Sequence, residues 1–425
     1  MDLRKAGHDE LVALKKELDA QYESFKAQNL KLNMARGKPG ADQLDACEGM
    51  LTVISTSKDC IYEGLDTRNY GGLEGIPACR QMFADLLDVP AEQVLAGGNA
   101  SLTFMYDTMD RLMMFGACGV DEPWVKKDKV KFLCPVPGYD RHFSICQQLG
   151  IEMINVPMDE NGPVMDVVEK LVAEDESIKG MWCVPKYSNP SGIVYSDEVV
   201  RRIANLKPAA KDFRLFWDNA YMIHHITEEE IEIPNIITEC EKAGNPDMVF
   251  EFCSTSKITF PGAGVCAFAA SKNNVEWQKK YMNAQQIGPD KINQLRHVLF
   301  FKNAEGVKKH MKIHAKLLAP KFKVVTDTLE KNLAGTGAGS WNVPKGGYFI
   351  SFDAMEGCAK RIQQLCKEAG IVMTGAGATF PYGKDPKDSN LRIAPSLPPV
   401  QELQQAMDVF CVCAKKAAVE KLLAE

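Results

Sequence analysis

The most constraining feature of this sequence is a series of short apolar segments that alternate with helical patterns between about residues 75 and 300. Several segments are too apolar to have one face in water, as strands of a parallel sheet covered by helices are. The segments are residues 93–96, 131–134, 153–156, 181–184, 215–218, 249–253 and 265–269. They predict an α/β domain with a mostly parallel, seven-stranded sheet.

Both ends of the chain depart from this alternation. The first thirty residues have the apolar spacing of an amphipathic helix, and residues 34–40 are too rich in glycine and proline for regular structure. The C-terminal part has the pattern of an α+β lobe, with a helix at 308–332, a strand near 347–352, and helices at 360–368 and 401–421. We expect the N-terminal segment to complete this lobe. The predicted domains are therefore a large one of residues 56–304 and a smaller one of residues 1–55 and 305–425.

Charge and cysteine spacing argue against several classes of protein. The formal net charge of −6 gives no reason to expect nucleic acid or an anionic membrane as a partner. No apolar run approaches the roughly 18 to 20 residues that span a bilayer, and residues 1–25 lack the continuous hydrophobic stretch of a secretory signal. The 14 cysteines form no Cys-x-x-Cys pair. We therefore expect free thiols, no metal site and a cytoplasmic protein.

A lysine follows one of the buried segments directly. Ser254 and Ser256 lie between the segment 249–253 and Lys257. Burial favours the neutral, nucleophilic form of a lysine, which can form an imine with an aldehyde cofactor. The two serine hydroxyls could donate to a phosphate. A surface lysine in a polar loop has the same local sequence, so this motif needs support from other parts of the chain.

Two further segments end near residues that suit the same cofactor. Asp218 closes the segment 215–218, where a carboxylate could pair with a protonated pyridine nitrogen or could instead cap a helix. Tyr221 follows three residues later and could hydrogen-bond the phenolic oxygen of the ring. Asn189 lies in an Asn-Pro-Ser-Gly sequence that is ordinarily a turn, but its amide could donate to the same oxygen.

A fourth segment leads into a glycine-rich helix start. Gly97 and Gly98 are followed by Asn99, Ala100 and Ser101, ahead of a predicted helix at 102–114. Free N–H groups and the helix dipole make such a start a potential phosphate site. The spacing is not the Gly-x-Gly-x-x-Gly of a dinucleotide-binding fold. Because ligands of open α/β sheets bind at the carboxyl ends of the strands, the four strand ends predict one shared site.

In chain order, Asn189-Pro190, Asp218-x-x-Tyr221, Ser254-x-Ser256-Lys257 and Arg392 resemble the aminotransferase branch of the fold type I pyridoxal-phosphate enzymes. The resemblance covers most of the chain. It implies pyridoxal 5′-phosphate as cofactor, amino acids and 2-oxo acids as substrates, and a homodimer with shared active sites. Several loops, including residues 35–40, 288–297 and 375–381, are similar to a divergent bacterial subgroup of aspartate aminotransferases.

The resemblance also implies a role for each matching residue. Lys257 would hold the cofactor as a Schiff base and move the proton between Cα and C4′. Asp218 would pair with the pyridine nitrogen, Asn189 and Tyr221 would contact the ring oxygen, and Arg392 would bind the substrate α-carboxylate. The remaining cofactor contacts would come from Asn99, Ala100, Ser101, Ser254 and Ser256 around the phosphate, from Tyr139 on the ring face, and from Tyr70 reaching the phosphate of the neighbouring subunit.

The resemblance leaves open which groups offset the phosphate charge and which residue binds the substrate side chain. Many relatives have an arginine eight residues after the lysine, where this chain has Val265. The aspartate subgroup implies transfer of the amino group of aspartate to 2-oxoglutarate, which requires a cation for the distal carboxylate. The candidates are Lys38, beside Gly37 in the segment expected to cover the site, Lys291 from the partner subunit, and, as further possibilities, Arg36, Arg141 and Arg296.

Other functions share most of these residues. An aminotransferase for alanine, aromatic or 2-aminoadipate substrates would keep them, and so would a lyase on the same scaffold. A cofactor-binding regulator would need a DNA-binding module, and we expect none ahead of the core. A plain nucleotide-binding protein would have no use for Lys257.

Overall fold

The computed structural model describes residues 1–120 and 122–425. Its strands are β1 (Leu32–Asn33), β2 (Ile61–Tyr62), β3 (Leu65–Asp66), β4 (Val94–Ala96), β5 (Lys131–Val136), β6 (Glu152–Asp159), β7 (Gly162–Pro163), β8 (Ile178–Cys183), β9 (Arg214–Asp218), β10 (Val249–Ser254), β11 (Cys266–Ala270), β12 (Gly339–Trp341), β13 (Ile350–Ala354), β14 (Ile371–Val372) and β15 (Asn390–Ile393). Its α-helices are α1 (His8–Lys26), α2 (Ala41–Asp45), α3 (Pro77–Leu87), α4 (Ser101–Phe115), α5 (Asp140–Gln148), α6 (Met165–Glu174), α7 (Asp197–Ala204), α8 (Ile236–Lys242), α9 (Lys272–Gln285), α10 (Lys291–Phe301), α11 (Ala304–Leu333), α12 (Ala359–Glu368) and α13 (Val400–Leu422).

The large sheet has the strand order β4-β11-β10-β9-β8-β5-β6-β7. Neighbours from β10 through β6 pair in parallel, whereas β11 runs antiparallel to both β10 and β4. The seven predicted strands are all present, so that prediction is confirmed. The structure adds β7, a two-residue strand antiparallel to β6.

The apolar sequence of the central strands is explained by burial on both faces of the sheet. Every residue of β8, β9, β10 and β11 is buried. In β9, Leu215 and Trp217 pack into one hydrophobic core and Phe216 packs into another. Because successive strand residues point to opposite faces, each face of the sheet contributes to its own core.

A third core lies in the smaller lobe. It joins Leu11, Leu18 and Tyr22 of α1 to residues of α11, α12 and α13 and of the antiparallel sheet β12-β13-β15. The N-terminal segment is also tied to this lobe by the parallel pairing of β1 with β14. The N-terminal segment therefore packs with the C-terminal lobe, as expected of a segment that completes it.

The division of the chain into domains at residues 55/56 and 304/305 stays a prediction. Helix α11 contributes Val307 and Met311 to a core of the large sheet and Leu318 to the core of the smaller lobe. A helix shared in this way crosses the proposed boundary.

Among the described residues, no helix has both the length and the apolar character that crossing a membrane requires.

Candidate functional site

A cavity of about 630 Å³ opens where β4, β5, β8, β9 and β10 end. Because these strands run in the same direction, the segments that follow them meet at one edge of the sheet. Residues 35–38 and 373–375, Phe349 and Arg392 close the cavity from the side of the smaller lobe. Most of the predicted site residues line it, namely Gly37, Lys38, Ala100, Ser101, Tyr139, Asn189, Asp218, Tyr221, Ser254, Ser256, Lys257 and Arg392.

Lys257 lies three residues beyond the end of β10, on the wall of the cavity. Burial lowers the pKa of its ammonium group, and the Asp218 carboxylate opposes that shift. Its Nζ atom is 4.9 Å from the centroid of the Tyr221 ring. The Tyr348 hydroxyl donates to the Lys257 main-chain oxygen at 3.2 Å. The structure therefore holds the lysine backbone in place and favours an amine that can lose its proton.

Asp218 is buried at the end of β9, and its two carboxylate oxygens have different surroundings. Oδ2 is 2.9 Å from Nε2 of His142, a buried ring that stacks on Trp182 with a centroid distance of 4.2 Å. Oδ1 is buried and has no hydrogen-bond partner among the described residues. A buried acceptor without a donor costs free energy, so this oxygen suits a ligand that carries an N–H group. Asp218 does not cap a helix, which excludes that alternative.

Arg392, in β15, is buried and reaches across from the smaller lobe. Its Nη1 donates to Oδ1 of Asp140 at 2.9 Å and to Oδ1 of Asn189 at 3.2 Å, and its Nη2 donates to Oγ1 of Thr374 at 3.3 Å. The guanidinium also lies 4.8 Å from the ring centroid of Phe349. These contacts orient a planar cation at the cavity wall, where it can bind a carboxylate through two hydrogen bonds.

The helix start predicted after β4 is the N terminus of α4, which begins at Ser101. Ala100 and Ser101 line the cavity together with Ser254 and Ser256, whose hydroxyls are 3.1 Å apart. Val265, at the position of the missing arginine, is buried in a core of the large sheet. The anion-binding groups gathered here are therefore main-chain N–H groups and hydroxyls.

Two aromatic rings complete the large-domain side of the cavity. Tyr139 is half-buried, and burial together with the Asp218 and Asp140 carboxylates raises the pKa of its hydroxyl to about 12. Tyr221 is buried, and burial raises its hydroxyl pKa well above the ordinary value. Both hydroxyls therefore keep their protons near neutral pH and can act as hydrogen-bond donors.

Three predicted site residues do not line the cavity. Asn99 uses its side-chain oxygen to accept from the Gly264 N–H at 2.7 Å. The Tyr70 side chain is 84% exposed, and Lys291 donates to the Gly71 oxygen at 2.7 Å, beside Tyr70. The two residues expected to serve a neighbouring subunit thus lie together on the same part of this chain. Their roles, like that of Asn99, stay predictions.

Sequence reasoning missed His142, Asp140 and Thr374, which hold Asp218 and Arg392 in position. His142 lies three residues after Tyr139, in the first turn of α5. A buried histidine one helical turn from a predicted site residue is a signal that could have identified it. Asp140 and Thr374 have no comparable signal, because their contacts depend on how the two lobes pack.

Comparison with known proteins identifies the family of the chain. A sequence model of the family described as aspartate amino-transferase matches residues 6–425. An aspartate aminotransferase of Corynebacterium glutamicum is 48% identical over 95% of this chain and 93% of the relative. The crystal structure of an aspartate transaminase from the same species has a TM-score of 0.97 and 46% identity, and it covers 99% of both chains.

More distant structures agree in fold only. The α-aminoadipate aminotransferase of Thermus thermophilus has a TM-score of 0.73 at 18% identity, with 93% of each chain covered. The match of the family across nearly the whole chain, and the relative at 48% identity, decide the assignment. The chain belongs to the aspartate aminotransferase family and is an enzyme of the aminotransferase class.

Proposed function

We propose that this aminotransferase uses pyridoxal 5′-phosphate, attached at Lys257, to exchange the amino group of aspartate with 2-oxoglutarate. The observation that supports this most strongly is the meeting of three groups at one cavity: the Lys257 amine, the unpartnered Asp218 oxygen and the Arg392 guanidinium. Each group comes from a different strand end or lobe, so their convergence is a property of the folded chain.

The residues present fit this cofactor. Asp218 Oδ1 is a buried acceptor with no donor in the described part of the chain, and a protonated pyridine nitrogen would provide one. The Ser254 and Ser256 hydroxyls and the free N–H groups at the start of α4 can donate to a phosphate. The lowered pKa of Lys257 favours the neutral amine that covalent attachment requires.

When bound, pyridoxal phosphate supplies the electron sink that makes the substrate Cα–H bond acidic. The negative charge of the Asp218 carboxylate would stabilise a proton on the pyridine nitrogen. His142 holds that carboxylate in one orientation. Arg392 positions the substrate through its α-carboxylate. The Lys257 amine is then the base that accepts the Cα proton.

Three cationic side chains at the cavity support a dicarboxylic substrate. Arg36, Lys38 and Arg141 line the cavity, and none of them forms an ion pair with another described residue. Burying the distal carboxylate of aspartate without a partner would cost several kcal/mol, and these side chains are placed to prevent that cost. The aspartate specificity named for the Corynebacterium glutamicum relative points in the same direction.

We also propose a homodimer in which Tyr70 and Lys291 contribute to the neighbouring site. Tyr70 is the most exposed large aromatic side chain among the described residues, and it lies next to the Gly71 oxygen that binds Lys291. Neither side chain lines the cavity of its own chain. An exposed aromatic beside a buried lysine suits a surface that another subunit covers.

Thirteen of the 14 cysteines are buried free thiols in the structure. Free thiols are usual in a reducing compartment. This supports the proposal of a cytoplasmic location.

A half-reaction screen tests the proposed substrates. Aspartate and glutamate should bleach the visible absorption band of the cofactor-loaded enzyme, and alanine should do so far more slowly at equal concentration. Alanine or aromatic amino acids that react as fast as aspartate would exclude the dicarboxylate preference. Borohydride reduction followed by peptide mapping tests the attachment site: the label should be on Lys257, and a label on another lysine would exclude it.

A further inference from the structure

A second group of reactive side chains is buried next to the segment that carries Lys257. Cys47, just after α2, meets His310 and His314 of α11, and the three are between 0 and 6% exposed. One potential ligand atom from each residue lies within 4.8 Å of the others, and Cys47 Sγ is 3.3 Å from His310 Nε2. The proposed transamination uses none of these residues.

The separation of Cys47 and His310 is close to that of two ligands of one metal ion. Zinc bonds of about 2.3 Å to sulfur and about 2.05 Å to nitrogen, at a tetrahedral angle, place the two ligand atoms about 3.6 Å apart. The observed distance of 3.3 Å between Cys47 Sγ and His310 Nε2 differs little from that value. His310 and His314 are four residues apart on one helix, so their rings project from the same face. A thiol and two imidazoles select zinc-like ions over magnesium or calcium.

His314 provides an independent observation. It is fully buried, and its Nε2 atom has no hydrogen-bond partner among the described residues. Its other ring nitrogen, Nδ1, is 3.0 Å from the Gln43 side-chain amide. An unpartnered polar atom in the interior is costly, and a metal ion bound through it would remove that cost. A metal bound through Nε2 requires the remaining ring proton to be on Nδ1, so the Gln43 amide must turn its oxygen toward that proton.

We propose that Cys47, His310 and His314 form a Zn²⁺ site beneath the lysine segment. The zinc–sulfur bond forms as the thiol proton leaves for the buffer, and no electron is transferred. In the structure Cys47 Sγ and His310 Nε2 lie 3.5 and 3.2 Å from the Ile258 main-chain oxygen. Zinc would replace both contacts, so occupancy of the site would also change the peptide beside Lys257.

Zinc content of the holoenzyme tests this site directly. The cofactor-loaded protein would be produced in zinc-supplemented medium, gel-filtered and analysed for metal by mass spectrometry. Wild type should retain about one zinc per chain, and the Cys47→Ser and His314→Phe variants should retain less than about a tenth of that. Cys60→Ser, a change at another buried free cysteine, is the matched control and should retain the wild-type amount.

Cobalt provides a measurement that does not depend on the variants folding. One equivalent of Co²⁺ bound by wild type should produce a near-ultraviolet thiolate-to-metal charge-transfer band, which requires a cysteine ligand. Absence of this band, wild-type protein without retained zinc, or equal zinc in wild type and folded Cys47→Ser would each overturn the proposal.

Discussion

Replacing Arg392 with lysine should lower kcat/KM for every amino-acid substrate by about 10- to 150-fold. The arginine contacts Asp140 and Asn189 through Nη1 and Thr374 through Nη2, and it lies against Phe349. A lysine keeps the positive charge but has a single nitrogen for all of these directions. It therefore loses the planar fork that binds a carboxylate through two hydrogen bonds.

The magnitude follows from that lost hydrogen bond. A hydrogen bond to a charged group contributes about 1.5 to 3 kcal/mol, and about 1.4 kcal/mol corresponds to a factor of ten. Losing one of two bonds to the substrate α-carboxylate therefore gives the stated range. Because aspartate, glutamate and alanine all have this carboxylate, each should lose activity by a similar factor.

Steady-state kinetics with the three amino acids measures the effect. Arg361→Lys is a matched control, because Arg361 also lies in the smaller lobe but pairs with Glu420 outside the cavity. That variant should keep wild-type kcat/KM. The reasoning is refuted if Arg392→Lys stays within about twofold of wild type, or if only the dicarboxylic substrates are affected.

Three further predictions concern other parts of the site. Asp218→Asn should retain cofactor, seen in its absorption spectrum, yet lose roughly 10² or more in turnover because the charge opposite the pyridine nitrogen is gone; near-normal turnover would exclude that role. Tyr70→Ala and Lys257→Ala chains, each first shown to be impaired, should recover part of the activity when combined, since one hybrid site has both intact residues. Inactive hybrid dimers, verified by mass, would exclude the shared site. Lys38→Met should slow aspartate far more than alanine in single-turnover assays, since only aspartate has a distal charge, and equal slowing would exclude Lys38 as its partner.

Much of this fold could be predicted because the relevant signals are local. A strand buried on both faces must be apolar at nearly every position, as β9 and β10 are, so their location is visible in the sequence. Parallel strands also bring their carboxyl ends to one edge. Asp218 and Lys257 were therefore predicted to share a site, and both line the same cavity.

Contacts between the smaller lobe and the large sheet could not be predicted from local sequence signals. Arg392 was identified through its resemblance to a family motif, but its partners Asp140 and Thr374 were not predicted. Asp140 belongs to the large domain and lies 252 positions away in the chain. No periodicity or short motif records a contact of that kind.

The sequence alone therefore determined seven strands of the large sheet, the α1 and α11 helices and the residues at the strand ends, because burial and hydrogen bonding constrain each segment separately. Only the tertiary structure decided that one Asp218 oxygen has no hydrogen-bond donor within residues 1–120 and 122–425, and that Lys291 lies beside Tyr70. It also decided that Cys47 meets His310, 263 positions away, although cysteine spacing predicted no metal site. The physical reason is that such contacts depend on the packing of distant segments, which the sequence near either residue does not encode.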